Sequence, residues 1–453
     1  MGFVPLQLQE ESAALFSLKE EMKGLNKEDR RVDYLELIRQ IPADRIALII
    51  NSCRYTFGML ADQAEKLRFK EGLTWGERKT IQVIQSSEIE VQLITFLALS
   101  GTQAVPVIVP ADVKINETLL QTEVPKEACM AVMTSGTTGE NKLLFRTLES
   151  WQGYFHTQNK IFGMGDKSRI FMQGSLAFTG NLNLYLAQLT AGGSIVAANA
   201  FDPRKWMKEI EDWKADTVYL IPAKLRLLKK AYDRKAWKNS GVRNIISGSQ
   251  SLGRREAEEL KQVFKNASVI LYYGASELNY ITYVKDYQMG EDKTLIGSPF
   301  PEVKLRVENG EIRVSTRYGV IGTKEEEWIG DCGHFDQNGL LCFDGRKDGI
   351  CNVNGRKVIS AKIENELAGC PGVAEAAVKT LKKGGQDILA AWIVPEEQVN
   401  IDMLRVRKYL KTSLCEWEIP KAVFFVEELP KSESGKILKR NLKDLYCKKS
   451  KTS

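Results

Sequence analysis

The sequence has 453 residues, more than one ordinary domain, and its 43% hydrophobic and 27% charged residues are typical of a soluble globular protein. The net charge of +6 is mild and the charges are mostly interspersed, which suits small anions such as nucleotides as well as it suits nucleic acid. The sequence has no basic–aromatic stripe, so we expect no nucleic-acid partner. Two histidines, and eight cysteines without a C-x-x-C pair, argue against a zinc site and a Ser-His-Asp triad. No segment approaches roughly 18 uninterrupted apolar residues, so we expect no integral membrane association and a cytoplasmic protein.

Short apolar runs alternate with amphipathic stretches from about Arg45 to Glu277. The runs predict strands at Arg45–Asn51, Thr80–Ile84, Val105–Val109, Cys129–Met133, Ser194–Ala198, Thr217–Ile221, Asn244–Ser247 and Ser268–Tyr273. The amphipathic stretches predict helices at Phe57–Phe69, Val91–Ser100, Glu149–Phe162, Pro203–Trp213, Lys224–Ala231 and Arg254–Phe264. β-branched residues such as Ile245 and Ile246 suit strands that are covered on both faces. The alternation therefore predicts parallel sheets covered by helices.

The pattern changes after Gly297, where short strands follow one another through turns. Predicted strands here are Val303–Val307, Glu311–Ser315 and Leu340–Phe343. The last part of the chain predicts a hairpin around Asn354-Gly355, helices at Lys362–Ala368 and Asp402–Leu414, and strands at Val373–Thr380, Ile388–Val394 and Ala422–Val426. We predict a domain boundary within Arg346–Asp348, which separates residues 1–346 from residues 347–453.

The segment Thr134–Lys142 follows an apolar run and combines glycines, hydroxyl side chains and a lysine. Glycines let a backbone approach an anion closely, and hydroxyls, backbone N–H groups and a lysine can hold phosphate oxygens. The spacing is not that of a Walker phosphate loop, because Leu143 follows the lysine where Ser or Thr is required. By itself the cluster is compatible with a triphosphate loop or with an ordinary loop.

Two further polar clusters follow predicted strands, where ligands bind in open α/β sheets. The first is Ser247–Gln250 and the second is Tyr272–Glu277. Tyr273 could stack on a base, Ser276 could bond a phosphate, and Glu277 could hold Mg²⁺, which takes oxygen ligands. The alternative is that the tyrosines are core residues and that Glu277 caps a helix.

Lys436 lies near the end of the chain after a Ser/Gly-rich stretch, Pro430–Gly435. A flexible loop of this kind could bring a cation to a site from outside, although a surface lysine is the alternative reading. Two more glycine-rich polar segments precede it, at Gly330–Gly333 and Gly345–Asp348.

Together these segments resemble, in order, the motifs of adenylate-forming enzymes: acyl- and aryl-CoA synthetases, peptide-synthetase adenylation domains and firefly-type luciferases. The resemblance covers about Arg45 to Leu442. Its motifs in this chain are TSGTTGENK, YYGASE, GSPFPEVKLRV, GDCGHFDQNGLLCFDGRKD, CPGVAEAAV and PKSESGKILKR. The compact size and the sequence YGASELNYIT resemble short fatty-acid–CoA ligase-type proteins of Gram-positive bacteria.

The resemblance implies a role for each matching residue. The phosphates of ATP would be held by Thr134, Ser135, Gly136, Thr137, Thr138, Gly139 and Lys142. The AMP part would be bound by Ser249, Gln250, Tyr273, Asp331 and Arg346. The catalytic residues would be Lys436, Ser276 and Glu277, and Glu277 would also hold Mg²⁺. Asp348 would be the hinge between the two domains. The acyl pocket would include Phe178, Ser247 and Gly248.

The resemblance also implies the architecture and the substrates. We expect an α/β fold with a large N-terminal AMP-binding domain of helix-covered, mostly parallel sheets and a distorted β-barrel subdomain. A small mobile α+β domain that carries the catalytic lysine would follow. The expected small molecules are ATP, Mg²⁺, CoA and a carboxylic acid, and the expected activity is that of an AMP-forming acyl-CoA ligase.

Some positions depart from the family pattern. Asn141 stands where proline is usual, Asn352 where many relatives have lysine, and the segment 174–180 lacks the histidine that many relatives carry. Phe178 in that segment either lines the acyl pocket or packs in the core. A medium- or long-chain fatty acid is the first substrate hypothesis. An aryl acid such as o-succinylbenzoate, delivery to a carrier protein, and a non-catalytic nucleotide- or acyl-binding protein are the alternatives.

Overall fold

The structure of the protein is a computed structural model, which describes residues 33–73, 80–113, 115–135, 141–290, 294–347, 350–353, 356–383, 386–396, 399–431 and 437–442. The chain divides into two compact units, Met1–Phe201 and Asp202–Ser453. This division differs in position from the boundary expected within Arg346–Asp348, which stays a prediction. No helix of the described residues is long and apolar enough to cross a bilayer.

The first unit contains two sheets. Their strands are β1 (Ile46–Ile50), β2 (Cys53–Thr56), β3 (Thr80–Gln85), β4 (Ala104–Val109), β5 (Met130–Ser135), β6 (Asn141–Arg146), β7 (Arg169–Gln173) and β8 (Ser194–Ala198). One sheet has the order β2-β1-β8-β7, in which β1, β8 and β7 are parallel and β2 is antiparallel. The other has the order β3-β4-β5-β6, in which only β6 is antiparallel.

Helices connect and cover these strands. They are α1 (Tyr34–Arg39), α2 (Phe57–Lys70), α3 (Ile89–Leu99), α4 (Glu117–Leu120), α5 (Leu148–Gln152), α6 (Phe155–Phe162) and α7 (Thr179–Thr190). The single helix expected over Glu149–Phe162 is wrong, because the chain turns at Gly153 and begins a new helix at Phe155. The strand at Arg169–Gln173 and the helix at Thr179–Thr190 were not predicted.

A buried ion pair organises the start of the first unit. The Asp33 carboxylate accepts a hydrogen bond from Leu35 N at 2.9 Å, which caps α1, and pairs with Arg68 at 2.9 Å. Arg68 also donates to the carbonyls of Ala98 and Ser100, at the end of α3. Burial raises the pKa of Asp33, and the Arg68 guanidinium opposes that shift. A buried charge costs little only when it is paired in this way, so the three helices are held in one arrangement.

The second unit begins with a large sheet. Its strands are β9 (Thr217–Tyr219), β10 (Asn244–Gly248), β11 (Ser268–Ala275), β12 (Asn279–Lys285), β13 (Leu295–Pro299), β14 (Lys304–Glu308), β15 (Glu311–Ser315), β16 (Asp331–Phe335) and β17 (Leu341–Arg346). Strands β9, β10 and β11 are parallel. The expected distorted barrel is an antiparallel series, which joins the parallel strands through β12 and β13 and has the order β13-β17-β16-β15-β14.

Helices α8 (Pro203–Asp212), α9 (Pro222–Lys235) and α10 (Arg254–Val263) belong to this part of the second unit. Two of them begin with proline at the first helical turn, where a missing N–H costs nothing. The Asp202 side chain caps α8 by accepting from Arg204 N at 3.0 Å. These sequence signals explain why the predicted start of α8 at Pro203 agrees with the structure, whereas α9 begins at Pro222, two residues before its predicted start at Lys224.

The last part of the chain is small and mixed. Strands β18 (Ile350–Val353) and β19 (Arg356–Ile359) form the expected hairpin, and β20 (Val373–Lys383), β21 (Gln386–Pro395) and β22 (Ala422–Phe425) form a sheet. Helices α11 (Ser360–Ala368) and α12 (Met403–Leu410) accompany them. Trp392 is fully buried and packs with Leu429 and Leu442. The mixed α/β class and the smaller C-terminal part are confirmed.

Candidate active site

The ends of two neighbouring parallel strands bring two of the predicted clusters together. In the ladder between β10 and β11, Asn244 is opposite Ser268 and Gly248 is opposite Tyr272. Because the two strands run in the same direction, Ser249 and Tyr273 both follow at the carboxyl end of the pair. This is the edge where α/β sheets bind ligands, so the sequence hypothesis for these clusters has the geometry it needs.

The close approach of Tyr272 explains why position 248 is glycine. A Cβ at Gly248 would lie 2.5 Å from Cζ of the Tyr272 ring, which is closer than real Cβ contacts. The Tyr272 hydroxyl lies 2.7 Å from the Tyr219 hydroxyl, and both side chains are buried. Tyr272 is therefore a core residue, as the alternative reading allowed. The next residue, Ser249, has φ of 69°, a left-handed conformation that is uncommon for serine and often found at functional sites.

Tyr273, Asp331 and Arg346 meet although the sequence separates them widely. The Tyr273 hydroxyl donates to Asp331 Oδ2, and Arg346 Nε lies 3.2 Å from Asp331 Oδ1. Asp331 and Arg346 are direct partners in the ladder of β16 and β17, so backbone pairing places their side chains together. Arg346 is also held by a hydrogen bond of 2.8 Å from Nη2 to Ile329 O. The structure thus brings together three residues that the sequence assigned to AMP.

The environment keeps Tyr273 protonated. Burial raises the pKa of the Tyr273 phenol well above its ordinary value of 10.0, and the Asp331 carboxylate raises it further. The Arg346 guanidinium acts in the opposite direction. The phenol therefore remains a hydrogen-bond donor to Asp331 over the whole neutral pH range.

Trp328 is a neighbour of this group that sequence reasoning missed. Its Nε1 donates to Asp331 O at 3.0 Å. Lys347 Nζ lies 4.3 Å from the ring centre and Arg313 Cζ lies 5.5 Å from it, which are cation–π distances. Glu311 accepts from both cations, at 3.1 Å and 2.6 Å. A tryptophan three residues before Asp331 was the available signal.

Other predicted residues near this edge have structural partners. Ser247 is fully buried and its hydroxyl donates to Leu220 O at 2.7 Å. Gln250 Oε1 accepts from Ala223 N at 3.0 Å in the first turn of α9. The carbonyl of Glu277 accepts from Val320 N at 2.8 Å, which fixes the backbone beside the half-buried Glu277 side chain. Ser276 is also half-buried, beside Glu277 in the same turn.

The predicted phosphate segment belongs to the first unit. Thr134 and Ser135 end β5, Lys142 lies on β6, and Thr134 and Lys142 are opposite each other in the ladder. Lys142 is thus in a strand, and its side chain is exposed. Phe178 precedes α7 and is half-buried. Gly136, Thr137, Thr138, Gly139, Asp348 and Lys436 lie outside the described residues.

Comparison with protein families gives two matches along the chain. The model of the AMP-binding enzyme family matches residues 34–323, and that of the AMP-binding enzyme C-terminal domain matches residues 362–436. The chain belongs to the AMP-binding enzyme family. The superfamily and the enzyme class inferred from the motifs are therefore confirmed at this level.

Individual relatives are distant but cover most of the chain. A putative long-chain fatty acid-CoA ligase of Staphylococcus haemolyticus is 24% identical over 330 residues, 69% of this chain and 69% of that protein. Indoleacetate–CoA ligase of Aromatoleum aromaticum is 27% identical over 357 residues, 72% of this chain and 69% of that protein. The structure of o-succinylbenzoate coenzyme A synthetase from Bacillus subtilis, in complex with ATP and magnesium ion, matches with a TM-score of 0.77 and 19% identity. That match covers 91% of this chain and 100% of that chain, and it supports the fold.

Proposed function

We propose that this member of the AMP-binding enzyme family is an ATP-dependent acyl-CoA ligase. It activates a carboxylic acid as an acyl-adenylate with release of pyrophosphate, and then transfers the acyl group to the thiol of CoA. The observation that carries the proposal is the contact of Tyr273, Asp331 and Arg346 beside the ends of two parallel strands. An aromatic ring, a buried carboxylate and a cation are the groups that a nucleoside monophosphate requires.

Each of these groups suits one part of the nucleotide. The Tyr273 ring, 5.7 Å from the Phe343 ring, offers an aromatic surface to adenine. The Asp331 carboxylate accepts from the two ribose hydroxyls, and Arg346 contacts the ribose and the phosphate. Ser249 and the amide nitrogen of Gln250 contact the base, since Gln250 Oε1 is already used by Ala223 N.

Glu277 and Ser276 suit the reacting phosphate. Mg²⁺ is usually bound by one or two carboxylates together with substrate phosphates, so the Glu277 carboxylate is a suitable ligand. Bound there, the ion would neutralise the charge that develops on the phosphate oxygens. The Ser276 hydroxyl donates to an α-phosphate oxygen, and residues Thr134–Lys142 hold the β- and γ-phosphates.

The first step is a displacement at phosphorus. A carboxylate oxygen of the acid attacks the α-phosphorus, the bond to the bridging oxygen breaks, and pyrophosphate leaves. Negative charge that builds on the α-phosphate oxygens is stabilised by Lys436. By analogy with oxyanion donors, loss of one such group costs ~2.7–4 kcal/mol of transition-state stabilisation.

The second step is an acyl transfer. The sulfur of CoA attacks the carbonyl carbon of the mixed anhydride, the bond to the phosphate oxygen breaks, and AMP leaves while the thiol proton is released. We propose that residues 347–453 act as a lid that rotates about Asp348 between the two steps. Such closures often limit turnover.

The acid is proposed to be a medium- or long-chain fatty acid, with Phe178 at its pocket. A relative named as a putative long-chain fatty acid-CoA ligase supports this choice. The alternative is an aryl acid, which the names of the indoleacetate and o-succinylbenzoate ligases support. Delivery to a carrier-protein thiol is a variant of the second step.

The test is acid-dependent release of pyrophosphate from ATP and Mg²⁺, measured over a panel of fatty and aryl acids with and without CoA. We expect release with one acid class and acyl-CoA formation when CoA is present. Lys436→Ala should lower the rate by about 100- to 1000-fold because one cation at the transition state is lost. Lys421→Ala, an exposed lysine of the same C-terminal part, is the matched control and should retain the rate.

The outcomes separate the candidate functions. Release that does not depend on an acid would contradict the ligase and favour an ATPase. Acyl-adenylate that accumulates with CoA and is consumed by a carrier protein would favour carrier loading. Binding of ATP without turnover over the whole panel would favour a non-catalytic protein.

A further inference from the structure

A fully buried glutamine in the first unit connects two loops that follow different strands. Gln92 lies in the first turns of α3. Its Nε2 donates to Ser86 O at 2.6 Å, in the loop after β3, and to Ser175 Oγ at 3.0 Å, in the loop after β7. Its Oε1 accepts from Leu176 N at 2.8 Å. One side chain therefore fixes loops that come from the two different sheets of this unit.

A second buried amide holds the same loop from its other side. Asn181, in the first turn of α7, donates from Nδ2 to the carbonyls of Gly174 and Ser175, at 3.0 Å and 2.9 Å. The Ser175 hydroxyl accepts in turn from Ala177 N at 3.1 Å. The backbone itself contributes two hydrogen bonds, from Gly174 N to Ala198 O at 3.2 Å and from Phe178 N to Ser175 O at 3.3 Å. The other contacts of the loop Gly174–Phe178 described here come from the side chains of Gln92, Asn181 and Ser175.

These contacts fix the loop that carries Phe178. The polar backbone atoms of Gly174, Ser175 and Leu176 are bound by Gln92 and Asn181. Ala177 and Phe178 are half-buried, so their side chains are the apolar part of the loop that retains accessible surface, whereas Leu176 is buried. A loop of this kind offers an apolar surface to a ligand, and its position depends on the two amides.

We propose that Gln92 is a positioning residue for the acid substrate, which acts by fixing the Gly174–Phe178 loop. The inference rests on the proposed function, in which Phe178 lines the acyl pocket. Gln92 contacts the loop through its amide and is itself fully buried, so it acts on the acid without touching it. It therefore sets the KM for the acid and the preferred chain length, and leaves the KM for ATP unchanged.

The chain offers a matched control for this test. Gln188 is also fully buried, and its Nε2 donates to Ser168 O at 2.8 Å, away from the Gly174–Phe178 loop. Gln92→Met and Gln188→Met each remove one buried amide and keep a side chain of similar size. Both leave backbone groups without their partner and so lower stability, Gln92→Met by the larger amount because its amide makes more hydrogen bonds.

The experiment measures pyrophosphate release with fatty acids of increasing length, and records the KM for each acid and for ATP. For Gln92→Met we expect the KM for the preferred acid to rise by about tenfold and the length preference to broaden, with the KM for ATP within about twofold. Gln188→Met should leave the KM for the acid, the length preference and the KM for ATP unchanged at a temperature where both variants are folded. Ser175→Ala removes the loop's side of the contact and should reproduce the effect more weakly, even if Gln92→Met folds poorly.

The results distinguish the inference from the proposed function. A wild-type protein that releases pyrophosphate with no acid would overturn the proposed function and the inference with it. An active wild type whose Gln92→Met variant raises the KM for ATP and for the acid equally would overturn the inference alone. The inference alone would also be overturned if Gln188→Met changed the KM for the acid as much as Gln92→Met does. The same holds if Ser175→Ala left the KM for the acid and the length preference unchanged.

Discussion

The proposed nucleotide region and the proposed acid region are built in different ways. Tyr273, Asp331 and Arg346 stand on or at the end of paired strands, and Asp331 is the direct ladder partner of Arg346. The Gly174–Phe178 loop, in contrast, is held by the side-chain amides of Gln92 and Asn181. Backbone pairing fixes the first group, whereas the second depends largely on two side-chain amides, with one backbone hydrogen bond from Gly174 N to Ala198 O.

This difference predicts how each region responds to substitution. A strand ladder is made of backbone hydrogen bonds, so most side-chain changes leave the positions of its residues unaltered. A loop that depends on two amides moves when one of them is replaced. We therefore expect a substitution in the nucleotide region to act by removing a group that contacts the nucleotide. A substitution in the acid region should act by moving the Gly174–Phe178 loop.

Among substitutions that compare the two regions, the largest effect is expected at Asp331. Asp331→Asn keeps the shape but removes the charge that pairs with Arg346 and that accepts from the Tyr273 hydroxyl. The ribose hydroxyls would lose their charged acceptor as well, so we expect the KM for ATP to rise by about 100-fold. The KM for the acid should change little. Steady-state pyrophosphate release with each substrate varied in turn measures both values.

The neighbouring strand provides the control for this substitution. Asp344 on β17 pairs with the exposed His334 at 3.0 Å, so Asp344→Asn also removes a carboxylate from the same sheet. It should leave the KM for ATP unchanged. Equal effects of the two substitutions would mean that net charge, and not the contact with Tyr273 and Arg346, determines nucleotide affinity.

A smaller effect, on stability, is expected at Gly248, where the end of β10 packs closely against the Tyr272 ring. In Gly248→Ala the new Cβ would meet the Tyr272 ring, so the ring must move away from the Tyr219 hydroxyl. Overpacking of this kind costs about 1–3 kcal/mol, and the melting temperature should fall accordingly. Gly241→Ala is the control, because a Cβ there would lie 3.7 Å from its nearest neighbour, Asn239 Oδ1. If Gly248→Ala melted at the same temperature as Gly241→Ala, the ends of β10 and β11 could move apart without loss of stability, and the expected overpacking would be wrong.

Much of the nucleotide region could be predicted from the sequence. Runs such as Asn244–Ser247 are β-branched and bounded by glycine and polar residues, and they agree with the structure to within one or two residues. The polar clusters after these runs were found because parallel strands end at one edge. The strand that carries Asp331 was missed, because Asp331–Phe335 is short and lacks an apolar alternation.

The acid region was the harder part for a physical reason. Helix Thr179–Thr190 is buried over most of its length, so its sequence lacks the polar face from which a helix is predicted. Gln92 resembles any glutamine of an amphipathic segment, and its partner Ser175 lies 83 residues away. Contacts between such distant side chains depend on the packing of the two sheets, which no local pattern contains.

The smallest effect is expected from the Tyr273 hydroxyl alone. Tyr273→Phe keeps the ring and removes the donor to Asp331, which still has Arg346 as a partner, so the KM for ATP should rise by about fivefold. Tyr232→Phe, which loses a hydroxyl bound to Glu211 at 3.0 Å, is the control and should not change that KM.

The pH dependence of stability distinguishes the Tyr273 contact from a general loss of polarity. Because burial raises the pKa of Tyr273 above its ordinary value of 10.0, the folded protein keeps the proton that the unfolded chain releases. The stability difference between wild type and Tyr273→Phe should be constant below about pH 10 and should decrease as the pH rises above it. Chemical denaturation of both proteins between pH 7 and 11 measures this. A difference that stays constant up to pH 11 would mean that folding does not raise the pKa of Tyr273. The phenol would then lie in a far more solvated setting, and the ring would be a poor surface for adenine.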